Sequence, residues 1–297
     1  MKYLLLGAAL IGTAIANTVA MAEVRVVASI APIHSLVAGV MEGVGIPKML
    51  VRGGASPHAY ALRPSDARAL NDADLIIWVG EKLETFLPKV LGSLGKGAEV
   101  IKLMQSPQIR LLDARKPGIW EDRHDHSGKD PHIWLSPANA KAIARISATA
   151  LISLDPANAE TYAANAKRVA ERIEVTARDI AAQLASVADE PFVLFHDSFR
   201  YFEDSFGLKP LGAITVDPER MPGAGHLSQL RREVVRLKAR CVLREPQFTP
   251  RSAAIVAEGT GARIGVIDPL GADLPPGQSL YFKIMQNNAR ALVACLS

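Results

Sequence analysis

"ANAETYAANAKRVAERIEVTARDIAAQLASV", residues 157–187, decides how the rest of the chain divides. Tyr162, Ala166, Val169, Ile173, Ile180 and Leu184 recur at intervals of three and four residues and their sums, with Arg, Lys, Glu and Asp between them. That period puts the apolar side chains on one helical face. A helix of about 30 residues rises about 45 Å, roughly three times the length of a mean globular helix. No Gly or Pro interrupts the stretch, so it is expected to be a stiff rod.

On both sides of this rod, short β-branched apolar runs alternate with helix-period segments. Before it, "VRVVASI" (24–30) leads into "PIHSLVAGVMEG" (32–43), where Ile33, Leu36, Val37, Val40 and Met41 mark one face. "KMLVRGG" (48–54) ends in a Gly turn, and Ser65 is expected to cap a short helix in "RPSDARALNDA" (63–73). "DLIIWVG" (74–80) reads as a strand buried on both faces, and "AEVIKLM" (98–104) as a further strand. After the rod the alternation resumes with "PFVLFHDS", "GLKPLGAITV", "HLSQLRREVVRLKA", "RCVLREPQF", "PRSAAIVAEGTG" and "ARIGVIDPLG".

Such alternation predicts an α/β fold of two lobes with mainly parallel sheets, bridged by one long rigid helix. The expected division is an N-terminal lobe over 23–152, the linking helix over 153–188 and a C-terminal lobe over 189–297. A chain of 297 residues with 49% hydrophobic and 22% charged side chains can fill two such cores.

Residues 1–22 read differently. One Lys, an apolar stretch from Tyr3 to about Ile15 and the small-residue end Ala20-Met21-Ala22 make a signal peptide cut after Ala22. Thr13, Asn17 and Thr18 interrupt the apolar run before it reaches the ~20 residues of a spanning helix. The mature chain is therefore expected in the periplasm without a membrane anchor. Its formal net charge of +4 drops by one when Lys2 is removed. With no dense basic run and only 5% aromatic residues, nothing marks a nucleic-acid surface. In an exported chain two cysteines commonly pair, and closing the loop between Cys241 and Cys295 stabilises by roughly 4 kcal/mol in the chain-entropy model. Two buried free thiols and soft metal ligation are the alternatives. Neither cysteine has a second one close by, so a C-x-x-C metal knuckle is absent.

Open parallel sheets bind ligands at the carboxyl ends of their strands. At such ends stand His196 in "FVLFHDS", Glu245 in "RCVLREP" and Asp268 in "GVIDPLG", while His58 follows a strand in "LVRGGASPHAY" and His132 lies in "DPHIWLSP". Three imidazoles and one carboxylate are the donor set of an N/O zinc site. An H-E-x-x-H helix, the mark of one class of zinc hydrolase, is missing.

The stretches "ASIAPIHSLVAGVMEGVG", "SPHAYALRPSDARALNDADLIIWVGEKLETFL", "DPHIWLSPANA", "FHDSFRYFEDSFGL", "CVLREPQF" and "IDPLG" resemble a known family over essentially the whole mature chain. It is that of the periplasmic solute-binding proteins of metal ABC transporters, in its zinc-binding, ZnuA-type branch. The resemblance implies a metal in the cleft between the lobes, held by His58, His132 and His196 with Asp268 in the fourth position. It further implies a Zn2+ carrier, monomeric and not an enzyme, that delivers its ion to a membrane permease. Where some zinc members carry an acidic residue beside the first His this chain has Pro57, which leaves the fourth position to Asp268 or water. Manganese-type relatives carry a Glu where this chain has His196, and an imidazole there favours zinc. A manganese or iron carrier of the same family and a zinc hydrolase are the alternatives. "EDRHDHSGKD" (121–130) resembles a shortened His-rich loop, which makes His124 and His126 auxiliary zinc contacts, or else members of a plain solvated loop. Cys241 and Cys295 resemble the family's second-lobe disulfide. His34 and His226 are assigned no role.

Overall fold

A computed structural model describes residues 23–115, 128–215, 218–219 and 222–297. The expected signal peptide over 1–22 and the expected auxiliary contacts His124 and His126 lie outside the described residues. Among the described residues, no helix is long and apolar enough to cross a membrane.

The first sheet consists of β1 (Val26–Ala28), β2 (Lys48–Met49), β3 (Leu75–Trp78) and β4 (Glu99–Lys102), all parallel, in the order β2-β1-β3-β4. The second consists of β5 (Phe192–His196), β6 (Gly212–Thr215), β7 (Cys241–Arg244) and β8 (Arg263–Val266), again parallel, in the order β6-β5-β7-β8. The two lobes thus share one winding although the sequence shows no repeat. In each, the first strand is central and successive crossovers leave on either side of it, which opens a crevice at its carboxyl end. Strands β3 and β5 are buried along their whole length, as their continuous apolar runs predict.

The connection between the lobes is two helices. After α1 (Ala31–Val40), α2 (Pro64–Asn71) and α3 (Leu87–Leu91), helix α4 (Pro137–Leu154) runs into α5 (Ala159–Leu184) through a 3-10 turn over Pro156–Asn158. Helix α5 is the expected rod, 26 residues long, and it buries Tyr162, Ala166, Val169, Ile173, Ile180 and Leu184, the stripe read from the sequence. It starts at Ala159, six residues later than the expected 153, because α4 still runs to Leu154 and Pro156 favours a tight turn between the two. In α2, Ser65 is not the cap. Pro64 takes the first helical position, and Asp66 reaches back to accept from the Arg63 backbone N–H at 3.1 Å.

The second lobe adds α6 (Arg200–Phe206), α7 (Ala224–Arg236), α8 (Arg251–Ala257) and α9 (Leu280–Leu296). Helix α9 packs against α5 and returns to α1 of the first lobe. One apolar cluster therefore runs from Val26 through Trp134, Ile173 and Phe192 to Leu296 without a break between lobes. Separate clusters fill the outer faces, around Leu50 and Ile76 in the first lobe and around Val193 and Leu230 in the second. Cys241 at the start of β7 is disulfide-bonded to Cys295 in α9, tying the terminal helix to the central strands.

Candidate metal centre

His58 lies in the loop after β2. Thr85 Oγ1 donates to its backbone carbonyl at 2.9 Å, and Tyr60, two residues on, donates to Asp66 Oδ2 at 2.8 Å. The loop is thus pinned to the start of α2 and to the segment after β3. His132 sits between Pro131 and a 3-10 turn over Ile133–Leu135, whose three side chains are fully buried. Its backbone N–H donates to Asp130 Oδ1 at 2.8 Å, and its Nδ1 lies 2.9 Å from the same oxygen. Ring and main chain are held by one carboxylate. His196 is the last residue of β5, and its Nδ1 is 3.5 Å from Glu245 Oε1, just beyond the end of the adjacent β7. Ser198 Oγ donates to that same oxygen at 3.1 Å. His196 and Glu245 therefore stand at the point where the winding of the second sheet changes direction.

The three rings converge. Their centroids are 5.8 Å (His58–His132), 5.4 Å (His58–His196) and 5.0 Å (His132–His196) apart. One ring nitrogen from each lies within 4.8 Å of the others. His132 and His196 are buried and His58 is partly so. The rings separate an inner, mainly apolar cavity, lined among others by Pro57, Leu83, Trp134 and Phe248, from an outer cleft lined by Lys82, Lys129, Asp197 and Glu219.

Electrostatics differ among the rings. Burial, followed by the neighbouring His196 and His132, pushes the His58 pKa well below its ordinary 6.5. Burial also opposes a charge on His196, but the Glu245 carboxylate, with Asp197 and Asp130 farther off, outweighs it and raises that pKa. Asp130 and Glu245 face the Nδ1 edges of His132 and His196, which leaves Nε2 of those two rings available as donors. Carboxylates behind imidazoles in this way orient the ring and increase its basicity as a ligand. Three converging imidazoles, two of them backed by buried carboxylates, are the kind of donor set that could hold a divalent cation.

Asp268 is not in this group. Its Oδ1 accepts from Gln247 Nε2 at 2.7 Å and from the backbone N–H groups of Leu270 and Gly271, each at 2.9 Å, and its Oδ2 accepts from Ala272 N at 2.6 Å. Gly271 takes φ 74°, a left-handed conformation that lets the chain curl around the carboxylate. The next residues, Pro269 and Leu270, do line the inner cavity. Sequence reasoning missed Asp130, although its position two residues before His132 was a usable signal. It also missed Gln247, which faces Asp268, and Arg115, which forms ion pairs with Asp197 and Glu203. His34 and His226 serve the fold: their Nε2 atoms lie 3.0 Å from Pro47 O and 3.1 Å from Ala213 O.

Comparison with known proteins agrees with this architecture. The family model described as "Zinc-uptake complex component A periplasmic" matches residues 26–295. The chain is 40% identical to the high-affinity zinc uptake system protein ZnuA of Brucella suis biovar 1 (strain 1330), with 92% of this chain and 91% of the relative covered. It is 37% identical to the protein of the same name from Yersinia pestis, over 100% of this chain and 98% of the relative. A crystal structure of ZnuA superposes with a TM-score of 0.80 at 25% identity, covering 92% of this chain and 99% of that one. A match across both lobes and relatives of nearly equal length place this chain in the ZnuA family of periplasmic zinc-uptake components.

Proposed function

We propose that this protein captures Zn2+ in the periplasm and hands it to the membrane permease of an ABC transporter, acting as a monomeric solute-binding protein and not as an enzyme. The observation that carries the reading is the convergence of ring nitrogens of His58, His132 and His196, from two loops and the end of β5, to within 4.8 Å. Membership of a family described by zinc uptake supports it. Imidazole nitrogen suits zinc better than manganese or magnesium, which prefer oxygen-rich shells. The three histidines are the protein ligands in this reading. Asp268, held by four donors, supports the site from the adjoining loop, and a water takes the fourth position.

The test is metal content by elemental analysis and zinc affinity by chelator competition, for the mature chain beside His132→Ala. Loss of a residue behind a ligand typically costs about 10–100-fold in affinity, so loss of a ligand is expected to exceed ~100-fold. A variant that binds as tightly as the parent sinks the ligand assignment. Parallel titration with Mn2+ is expected to leave bound zinc in place.

A further inference from the structure

Gln247 follows β7 in the turn "EPQF", between the Glu245 that backs His196 and the Phe248 that lies edge-on to the same ring with centroids 6.3 Å apart. It lines the inner cavity with the three histidines. Its Nε2 is 2.7 Å from Asp268 Oδ1. A carboxylate can only accept, so this contact fixes which end of the carboxamide faces Asp268. The other end, Oε1, is out of solvent contact and has no hydrogen-bond partner among the described residues. A buried acceptor of this kind calls for a donor. Donors are few around the cavity. Trp134 gives its indole N–H to Pro269 O at 2.8 Å, a carboxylate such as Glu245 only accepts, and the Ser56 hydroxyl, which accepts from the His58 backbone N–H at 3.3 Å, makes no hydrogen bond to Oε1.

We infer that Gln247 Oε1 accepts a hydrogen bond from the water that completes the shell of the bound zinc, with Asp268 setting the orientation of the carboxamide. This rests on the three-imidazole reading above. A water on zinc becomes a strong donor, because the cation draws electron density from its oxygen, and in a buried cavity that donor needs an acceptor. Gln247 supplies one without adding charge. Asp268 then acts on the metal through Gln247 while its carboxylate remains locked in the 270–272 turn. Gln247 is thus a positioning residue.

The experiment uses the full mature chain, with Co2+ as a spectroscopic substitute for zinc. Electron–nuclear double resonance on the Co2+ form of the parent, in H2O and after exchange into D2O, is expected to reveal an exchangeable proton on a metal-bound oxygen. Its absence overturns the inference, whatever any variant does. Gln247→Leu, similar in size but without an acceptor, is expected to bind Zn2+ about 10–100-fold more weakly by chelator competition. Its metal-free melting temperature and the three-imidazole Co2+ absorption bands should remain those of the parent. Parent-like zinc affinity in Gln247→Leu, alongside the expected loss in His132→Ala, also overturns the inference and leaves the three-imidazole site standing. Parent-like affinity in His132→Ala removes the site itself, and the inference with it.

Discussion

In the proposed site, His196 is the imidazole at which protons and metal would compete most directly. Zinc needs its imidazoles neutral, so a bound proton must leave before the metal binds. His58, held well below 6.5, is already neutral across the physiological range and contributes little competition there. His196, raised above 6.5 once the Glu245 carboxylate outweighs burial, keeps its proton to higher pH. The sign follows: zinc affinity is flat at alkaline pH and starts to fall, by about one proton per metal, while the pH is still above 6.5. Glu245→Gln removes the main group that holds that proton, so the onset should move to lower pH. Chelator competition at a series of pH values measures both, and an onset below 6.5 in the parent would contradict this reading. None of this was visible in "FVLFHDS" or "CVLREP" alone. Each strand run leads into a titratable residue, His196 or Glu245, but only the parallel pairing of β5 with β7 puts the two side by side.

At the scale of elements, α5 was the most legible part of the chain, and α4 the least. Helix α5 has one face on α4 and α9 and the opposite face in water, so its sequence carries a clean 3.6-residue period. Helix α4 packs against both α1 and α5, and its buried set includes Asn139, Ala140, Ala142, Ile143, Ala144, Ser147 and Ala148. Small residues spread around the axis leave no stripe to read. The role of α5 is tested by Ile180→Ala, which truncates a side chain with no exposure. The expected cost is about 2–5 kcal/mol in denaturant unfolding of the metal-free protein. Zinc affinity of the folded variant should be unchanged, because no residue of the stripe lines the cavities around the three histidines. A parallel loss of affinity would mean that the helix also sets ligand geometry.

For the whole molecule, the question is what holds the lobes at one distance. Their apolar core is continuous, and polar contacts join the lobes as well. Trp134 Nε1 donates to Pro269 O at 2.8 Å, Tyr201 Oη to Asp130 O at 2.9 Å, and Arg110 pairs with Asp204 at 2.5 Å. Arg115 pairs with both Asp197 and Glu203. Burial drives the Glu203 pKa up to about 8 against the pull of Arg115, so even with its partner in place this carboxyl is charged chiefly above neutral pH, and without the guanidinium it would hold its proton further still. Arg115→Met leaves two buried acids without their cation and is expected to destabilise the protein by about 3–5 kcal/mol. Adding Asp197→Asn and Glu203→Gln should recover part of the loss, as read by denaturant unfolding. With no recovery, the destabilisation would come from lost packing around the arginine.

The sequence by itself determined the α/β class, the long amphipathic helix and the candidate imidazoles, because these depend on local chemistry: side-chain period, strand composition and residue type at strand ends. Tertiary structure decided what depends on distance between remote segments. It brought His58, His132 and His196 together while enclosing Asp268 in its own turn. It placed Asp130 and Glu245 behind two of the rings and merged the cores of the lobes through α4, α5 and α9. The reason is physical. A carboxylate after a strand carries the same local signature whether it faces a metal or satisfies the backbone N–H groups beside it. The difference lies in which donors the folded chain places within about 3 Å of it.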